Sequence, residues 1–313
     1  MKLKHLISTR SLLLLFAFPF FITSCEKDDD PAPTPTITET VVANPNFSLL
    51  KTAVVRAGLG DYLNNTPNLT VFAPTNDAFL AAGLTETAIN STPVATLQAI
   101  LQYHVLTSRI PSSSVPSGPN AEVTTAGGNK AFVTKNAAGV FVNGTSVVTA
   151  DINASNGVIH AINAVLIPPV GNIVATAQAN PNFSYLVAAV LRADASGTSI
   201  SGALSAAGPL TVFAPTNQAF IDAGFPTIAS INAADPNTLK NILLYHVIGA
   251  RVFSSDLVNN STASTAGGGT VLITLTGGAK VKGNGNATAS NITGVNLVTT
   301  NGVIHVIDKV LLP

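Results

Sequence analysis

Four of the five histidines of this chain fall into two matched pairs, His104 with His246 and His160 with His305, while His5 lies near the amino terminus. Imidazole is the side chain best suited to proton transfer or metal ligation near neutral pH, so these pairs are the first place to look for chemistry. Two per repeat fall short of a closed zinc site, and no His-Glu-x-x-His spacing is present. Acid–base or hydrolytic chemistry wants paired carboxylates, or a nucleophile beside a histidine and its orienting acid. When the two halves of the chain are aligned on their shared phrases, no acid falls opposite another: Asp77 faces Gln218, Asp308 faces Asn163, Asp151 faces Asn296 and Asp222 faces Ala81. A carboxylate chemistry common to both halves is thereby excluded. Only a site private to one copy, at an acid such as Asp77, Glu122 or Asp308, stays open. What recurs is Tyr103/Tyr245, the histidines, Arg56/Arg192, Arg109/Arg251 and a Thr-Asn turn, a set better made for contacts than for breaking bonds. No catalytic residue, metal or cofactor is expected from it. The glycine phrases Ala126-Gly127-Gly128-Asn129 and Ala266-Gly267-Gly268-Gly269 lack the Lys-Ser/Thr of a phosphate cradle and read as turns between strands.

The elements that must position these residues are written twice. Leu69-Thr70-Val71-Phe72-Ala73-Pro74-Thr75-Asn76 returns identically at 210–217, an offset of 141; Asn44-Pro45-Asn46-Phe47-Ser48 returns at 180–184, Tyr103-His104-Val105 at 245–247 and Asn156-Gly157-Val158-Ile159-His160 at 301–305. A period this long means tandem domains that each close a core, with boundaries near 39–168 and 170–313 and Pro168-Pro169-Val170-Gly171 as a short hinge. Asn44 followed by Pro45 is a helix start, and Phe47, Leu50, Val54 and Ala57 then share one face. Residues 69–73 read as a strand turned by Pro74, after which Thr75 or Asn76 caps a short helix through Asp77 that ends at Gly83. Residues 97–102 are helical in pattern and run into Tyr103-His104. Residues 121–150 and 262–298 alternate as hairpins do, and 157–166 and 302–312 are apolar enough for a strand covered on both faces. On that strand Val158, His160 and Ile162 share a face, as do Val303, His305 and Ile307, so these histidines read as buried and satisfied by hydrogen bonds before they read as ligands.

Composition narrows the function further. Of 313 residues 10% are charged, with 15 Lys+Arg against 15 Asp+Glu, which excludes a disordered chain and a nucleic-acid binder needing a basic surface. The single cysteine, Cys25, excludes an intrachain disulfide. Residues 1–24 carry a basic start (Lys2, Lys4, Arg10), an apolar run at 12–21 and small residues before Cys25, the pattern of a secretory signal. Ile22-Thr23-Ser24-Cys25 resembles a bacterial lipobox, in which the cysteine thiol takes up a diacylglycerol. Lys27-Asp28-Asp29 resembles the short export signal of surface lipoproteins in the Bacteroidota, and Pro31-Ala32-Pro33-Thr34-Pro35-Thr36 completes a stalk over residues 25–38. These features place the chain at the outer membrane, surface-exposed, with a periplasm-facing arrangement as the alternative.

Thr70-Val71-Phe72-Ala73-Pro74-Thr75-Asn76-Asp77-Ala78-Phe79, a central Tyr103-His104 and a closing Asn156-Gly157-Val158-Ile159-His160, in that order and in both copies, resemble the fasciclin domain. The resemblance implies an α+β fold: two tandem fasciclin-like domains, each a wedge of twisted β-sheets flanked by helices. It implies an extracellular module associated with adhesion, without catalysis. In animal fasciclin domains the Tyr-His segment and its apolar neighbours are a proposed receptor contact, which makes Tyr103, His104, Tyr245 and His246 candidate binding residues; core packing of the same residues is the competing reading. Asn76, Asp77, His160, Asn217, His305 and Asp308 are the corresponding structural motif positions. Two departures stand out, Gln218 in place of the acid at Asp77 and Asn163 in place of the acid at Asp308; if those acids are ties, each copy has lost a different one. The reading reached from sequence is a lipid-anchored protein that binds protein or polysaccharide at a cell surface or matrix. An envelope component binding glycans or partner lipoproteins is the alternative, and a one-copy enzyme stands behind both.

Overall fold

The computed structural model describes residues 33–313; the signal-like segment, Cys25 and the Lys27-Asp28-Asp29 run lie outside the described residues. The packed chain begins with helix α1 (Ile37–Ala43), opened by a capping box in which the Thr36 side chain accepts from the Glu39 N–H and Glu39 reaches back to the Thr36 N–H. Ile37 is wholly buried, and its N–H donates to Asn156 Oδ1. An apolar side chain with its backbone fixed in this way cannot belong to a solvated stalk, so residue 39 lies inside the first helix and the first domain starts at about Pro35, whose carbonyl accepts from the Ser155 N–H.

Asn44 caps a single 3-10 turn at Pro45–Phe47, and α2 (Ser48–Ala57) follows with Leu50, Val54 and Ala57 buried, the face read from the sequence. The remaining elements of the first domain are α3 (Gly60–Asn65), β1 (Leu69–Pro74), α4 (Asn76–Ala81), α5 (Glu86–Ser91), α6 (Val94–Tyr103), β2 (Val105–Leu106), β3 (Gly118–Thr124), β4 (Lys130–Asn136), β5 (Gly139–Val142), β6 (Thr145–Ala154) and β7 (Gly157–Ile162). The second domain repeats the order: α7 (Ile173–Gln178), α8 (Ser184–Asp194), α9 (Ile200–Ser205), β8 (Leu210–Pro215), α10 (Asn217–Asp222), α11 (Ile228–Ala233), α12 (Pro236–Tyr245), β9 (Val247–Ile248), β10 (Ser261–Ser264), β11 (Thr270–Thr274), β12 (Lys280–Lys282), β13 (Ser290–Thr299) and β14 (Gly302–Ile307).

Each domain carries a seven-stranded sheet, β2-β1-β7-β6-β5-β4-β3 in the first and β9-β8-β14-β13-β12-β11-β10 in the second. The first and last long strands meet in parallel, Leu69 opposite Gly157 through Pro74 opposite Ile162, and every residue of both strands is buried. This is the doubly covered strand expected from residues 157–166, shortened at its end. Its opening glycine is required by close approach: a Cβ at Gly157 would stand 2.2 Å from the Leu69 carbonyl oxygen, as one at Gly302 would from Leu210. One face of the pair packs on the helices, in a core holding Phe47, Leu50, Val54, Leu97, Leu101 and Ile159. The other face packs on the outer strands, because register shifts in β6 bend the sheet and bring Val133 and Val142 onto Phe72 and Ile162. This is the α+β fold expected, with two cores per domain.

The two domains also share a contact. Phe132 of β4 meets Phe253 of the second domain at 6.1 Å between ring centroids, and both belong to a buried cluster with Val298 and Val303. The Arg251 guanidinium carbon lies 3.8 Å above the Phe132 ring. Asn120 Nδ2 donates to the Arg251 carbonyl (2.8 Å), and Asn136 Nδ2 to the Ser255 carbonyl (3.0 Å). Positions equivalent by repeat differ here, since Phe132 corresponds to Leu272 and Phe253 to Pro111. Leu272 is 37% exposed and Phe132 is 7%. Phe132→Ala should therefore cost about 3 kcal/mol and split thermal unfolding into two calorimetric transitions, whereas Leu272→Ala should leave the calorimetric profile as it is.

Candidate functional site

Tyr103 and His104 close α6, and Tyr245 and His246 close α12; their exposures are 1%, 2%, 1% and 2%. Helix α6 is placed by its buried face, Leu97 and Leu101, and its last turn leaves carbonyls without helical partners. His104 Nδ1 faces one of these, the Ile100 carbonyl at 2.8 Å, while Nε2 lies 2.9 Å from the Leu166 N–H in the chain beyond β7. A carbonyl needs a donor and an amide needs an acceptor, so the ring is neutral with its proton on Nδ1. His246 repeats the arrangement between the Ile242 carbonyl and the Leu311 N–H, both at 2.8 Å. Burial pushes the pKa of both imidazoles down to about 4, against the hydrogen bond to the helix carbonyl, which acts the other way.

The tyrosines tie α6 and α12 to the hairpins. Tyr103 Oη donates to the Lys130 carbonyl (3.0 Å) and accepts from Asn143 Nδ2 (2.9 Å), whose own Oδ1 takes the Phe132 N–H. Burial pushes the Tyr103 phenol up to about 12, opposed by the Asn143 bond. Tyr245 Oη donates to the Thr270 carbonyl and accepts from the Asn284 N–H. The neighbours Val105, Leu106, Val247 and Ile248 are buried as well. The contact reading of Tyr103, His104, Tyr245 and His246 is thus corrected: side chains sealed in the core with every polar atom engaged have nothing to offer a partner.

The second histidine pair carries the opposite tautomer. His160 Nε2 donates to the Ile110 carbonyl (2.9 Å) and Nδ1 accepts from the Asp151 N–H (3.2 Å); His305 Nε2 donates to the Val252 carbonyl (2.8 Å). Their rings pack on Phe72 and Phe213 at 5.9 and 5.8 Å between centroids. Burial holds His305 below the ordinary imidazole range. The paired histidines are 62 and 65 or 50 and 53 residues from the segments they fasten, so they act as long-range staples.

Asn76 and Asn217 are clasps. Asn76 Oδ1 accepts from the Leu49 N–H (3.0 Å) and Nδ2 donates to the Pro45 carbonyl (2.9 Å), fastening the start of α4 to the start of α2; Asn217 does the same with Tyr185 and Pro181. Asp77, by contrast, is exposed and makes no side-chain hydrogen bond among the described residues, so Gln218 in the second copy loses no tie. Asp308 is a tie: its carboxylate accepts from the Asn291 N–H and side chain and from Ser290 Oγ. Partial burial works against ionisation there, and the bonds from Asn291 and Ser290 outweigh it and hold its pKa below the usual carboxylate value. Asn163 in the first copy keeps one strand of this tie, accepting from the Ser146 N–H.

Sequence reasoning missed three polar positions. Asn156 and Asn301 sit at the turn before the closing strand; each takes the first N–H of α1 or α7 on Oδ1 and donates Nδ2 to carbonyls at the end of α3 or α9, those of Leu63 and Thr66 or of Leu204 and Ala206. Asp151, at φ 59° in the bent part of β6, accepts from the Ser112 N–H and hydroxyl, which hold its pKa low. The repeated Asn before Gly157 and Gly302 was a signal for the first two, and nothing in the sequence pointed to the third.

No pairing of these groups makes a reactive centre. Asp77 and Asn163 line a shallow surface cleft of about 530 Å³ with Asn46, Asn76 and Val148, and no histidine or second acid lines it. Glu122 is paired with Lys130 at 3.2 Å on the surface. Two outcomes follow. In an NMR titration the His104 and His246 rings should stay neutral down to about pH 4; the unfolded chain protonates at about 6.5, so stability should hold above that pH and fall as pH drops toward 4, by up to about 1.4 kcal/mol per pH unit for each ring. In urea denaturation Asn76→Ala should cost about 2 kcal/mol through the orphaned Leu49 N–H and Pro45 carbonyl, and Asp77→Ala less than about 0.5 kcal/mol.

Comparison with known proteins accords with this geometry. The family model "Fasciclin domain" matches residues 45–168 and 181–313. Protein sll1483 of Synechocystis sp. is 43% identical over 136 residues, 43% of this chain and 74% of that protein. Human periostin is 31% identical over 74% of this chain, and the pig transforming growth factor-beta-induced protein ig-h3 is 29% identical over 79% of it. The chain spans only 26% of the length of the first and 35% of the second. The solved FAS1 domain pair of the insect cell adhesion molecule fasciclin I aligns over 85% of this chain and 96% of that one, with 18% identity and a TM-score of 0.41. With both repeats matched from their helix-opening Pro45 and Pro181 to their closing strands, the chain belongs to the fasciclin domain family and carries two copies of the domain in tandem.

Proposed function

We propose that this chain is a lipid-anchored extracytoplasmic binding protein of the outer membrane, displayed on the cell surface, that adheres to protein or polysaccharide of another cell, a matrix or a surface polymer. The observation that carries the proposal is the tandem fasciclin match over residues 45–168 and 181–313, joined to a Cys25 in lipobox register ahead of it. Two domains held near a membrane favour weak contacts made strong by multiplicity. The duplicated histidines and tyrosines are spent on internal hydrogen bonds, and the acids are unpaired between copies, so the reading needs no catalysis. Because the Tyr-His segments are buried, recognition falls to the exposed surface.

Surface display is the part to test first. Intact cells labelled with an antibody against residues 39–313 should stain as strongly as permeabilised ones, and Cys25→Ala should remove the label from the membrane fraction. Staining only after permeabilisation would sink the cell-to-cell reading in favour of an internal envelope component that binds glycans or partner lipoproteins.

A further inference from the structure

The contact between the domains leaves a cleft of about 450 Å³ beside the Phe132–Phe253 packing, within the size range of small-ligand sites. Asn120, Glu122 and Lys130 of the first domain line one side, and Arg251, Ala207 and Thr300 of the second line the other. Three features give it a chemistry. The Arg251 side chain is half-buried over Phe132 and makes one hydrogen bond, Nη1 to the Gly302 carbonyl, leaving Nε and Nη2 without a partner among the described residues. No carboxylate of the described residues lies within ion-pair distance of it. Burial holds its pKa below the ordinary guanidinium value, against the pull of Tyr103 and of Glu122 across the cleft.

The second feature is Asn120. Its Nδ2 is used on the Arg251 carbonyl, its backbone sits at φ 62°, and its Oδ1 is buried with no hydrogen-bond partner among the described residues. A buried acceptor left in this state costs free energy that an incoming donor restores. The third is the Glu122–Lys130 pair at the rim, which offers an acceptor and a donor side by side. None of this recurs in a single domain: Arg109, the counterpart of Arg251, spends its guanidinium on Asn153 Oδ1 and the Ala154 carbonyl.

We propose that the interdomain cleft binds an acidic saccharide, with the sugar carboxylate on Arg251 and its hydroxyls between Asn120, Glu122 and Lys130. A guanidinium fork matches a carboxylate in two parallel bonds. The remaining groups call for donors and acceptors on the same ligand unit, which a hydroxylated ring supplies. A run of acidic peptide side chains offers carboxylates without the ring hydroxyls that pair with Asn120, Glu122 and Lys130. The inference rests on the reading of the chain as a surface-polymer binder and assigns the polymer's chemical class.

The test is calorimetric titration of the full chain in detergent micelles with trigalacturonate, using galactotriose and hexaglutamate as comparison probes. Saturable one-to-one binding of trigalacturonate is expected, weakened by salt and absent with galactotriose. Ala207 is exposed, so Ala207→Trp fills the cleft from its outer wall without disturbing the core, and it should weaken binding at least tenfold with an unchanged melting temperature. Arg251→Lys should weaken it at least tenfold as well. Equal binding of galactotriose, tighter binding of hexaglutamate, or undiminished binding by Ala207→Trp overturns the proposal. Cells carrying Ala207→Trp separate the two readings: adhesion that persists while titration fails removes the cleft and spares the adhesive function, and titration that succeeds in a protein never displayed on the surface does the reverse.

Discussion

A parallel pair of strands buried on both faces sets the terms for everything else in each domain. Water cannot reach β1 and β7, and β8 and β14 are buried but for Leu210 and Val306, so the backbone groups of the segments crossing their ends must be satisfied from inside the protein. Backbone alone cannot do this where a helix stops or a strand bends. The domain solves the problem with side chains that hold a donor and an acceptor on one rigid frame. His104 and His246 join the last turn of a helix to the chain leaving the closing strand, His160 and His305 join the bend of the sheet to the loop beyond β2 or β9, and Asn156 and Asn301 join the first helix to the end of α3 or α9. Neutral imidazole suits the task because one nitrogen gives and the other takes. Such groups look like chemistry in a sequence and are architecture in the fold.

The copies diverge where they meet. Phe132 and Phe253 occupy an interface that Leu272 and Pro111, their equivalents, do not make, and Arg251 lies over Phe132 while Arg109 is tied within its own domain. The two domains therefore have matching cores, and residues on the outer strands and the loop after β9 that differ between the copies make the contact. The tight approach of Gly144 to Asn296, where a Cβ would stand 2.5 Å from the amide nitrogen, belongs to the same contact. A short hinge brings the surfaces together; it is the aromatic packing that holds them.

For function the consequence is a shift of attention from the motifs to the surfaces between them. The phrases that identify the family are the ones most deeply committed to folding, so they say least about a ligand. Unspent hydrogen-bonding capacity is found instead at Arg251 and Asn120, residues outside every repeated phrase except the arginine pair.

Sequence alone determined the repeat, the helix face of Phe47, Leu50, Val54 and Ala57, a helix cap at Thr75 or Asn76 and the apolar closing strand, and the α+β class followed from the resemblance that the repeated phrases carry. The helix face, the cap and the strand are local properties that a short window of residues fixes. The first domain's start was misplaced because Ile37 is held by Asn156, far along the chain. Tyr103 and His104 were legible as a motif, but their roles were decided by Lys130, Asn143 and Leu166, residues that only the bent sheet brings near. Asp77 and Asp308 looked equivalent as acids, and tertiary structure separated an exposed helix-start carboxylate from one that accepts bonds from Ser290 and Asn291. The interdomain cleft had no trace in the sequence, because a surface shared by two domains depends on how folded bodies meet and no stretch of one chain encodes it locally.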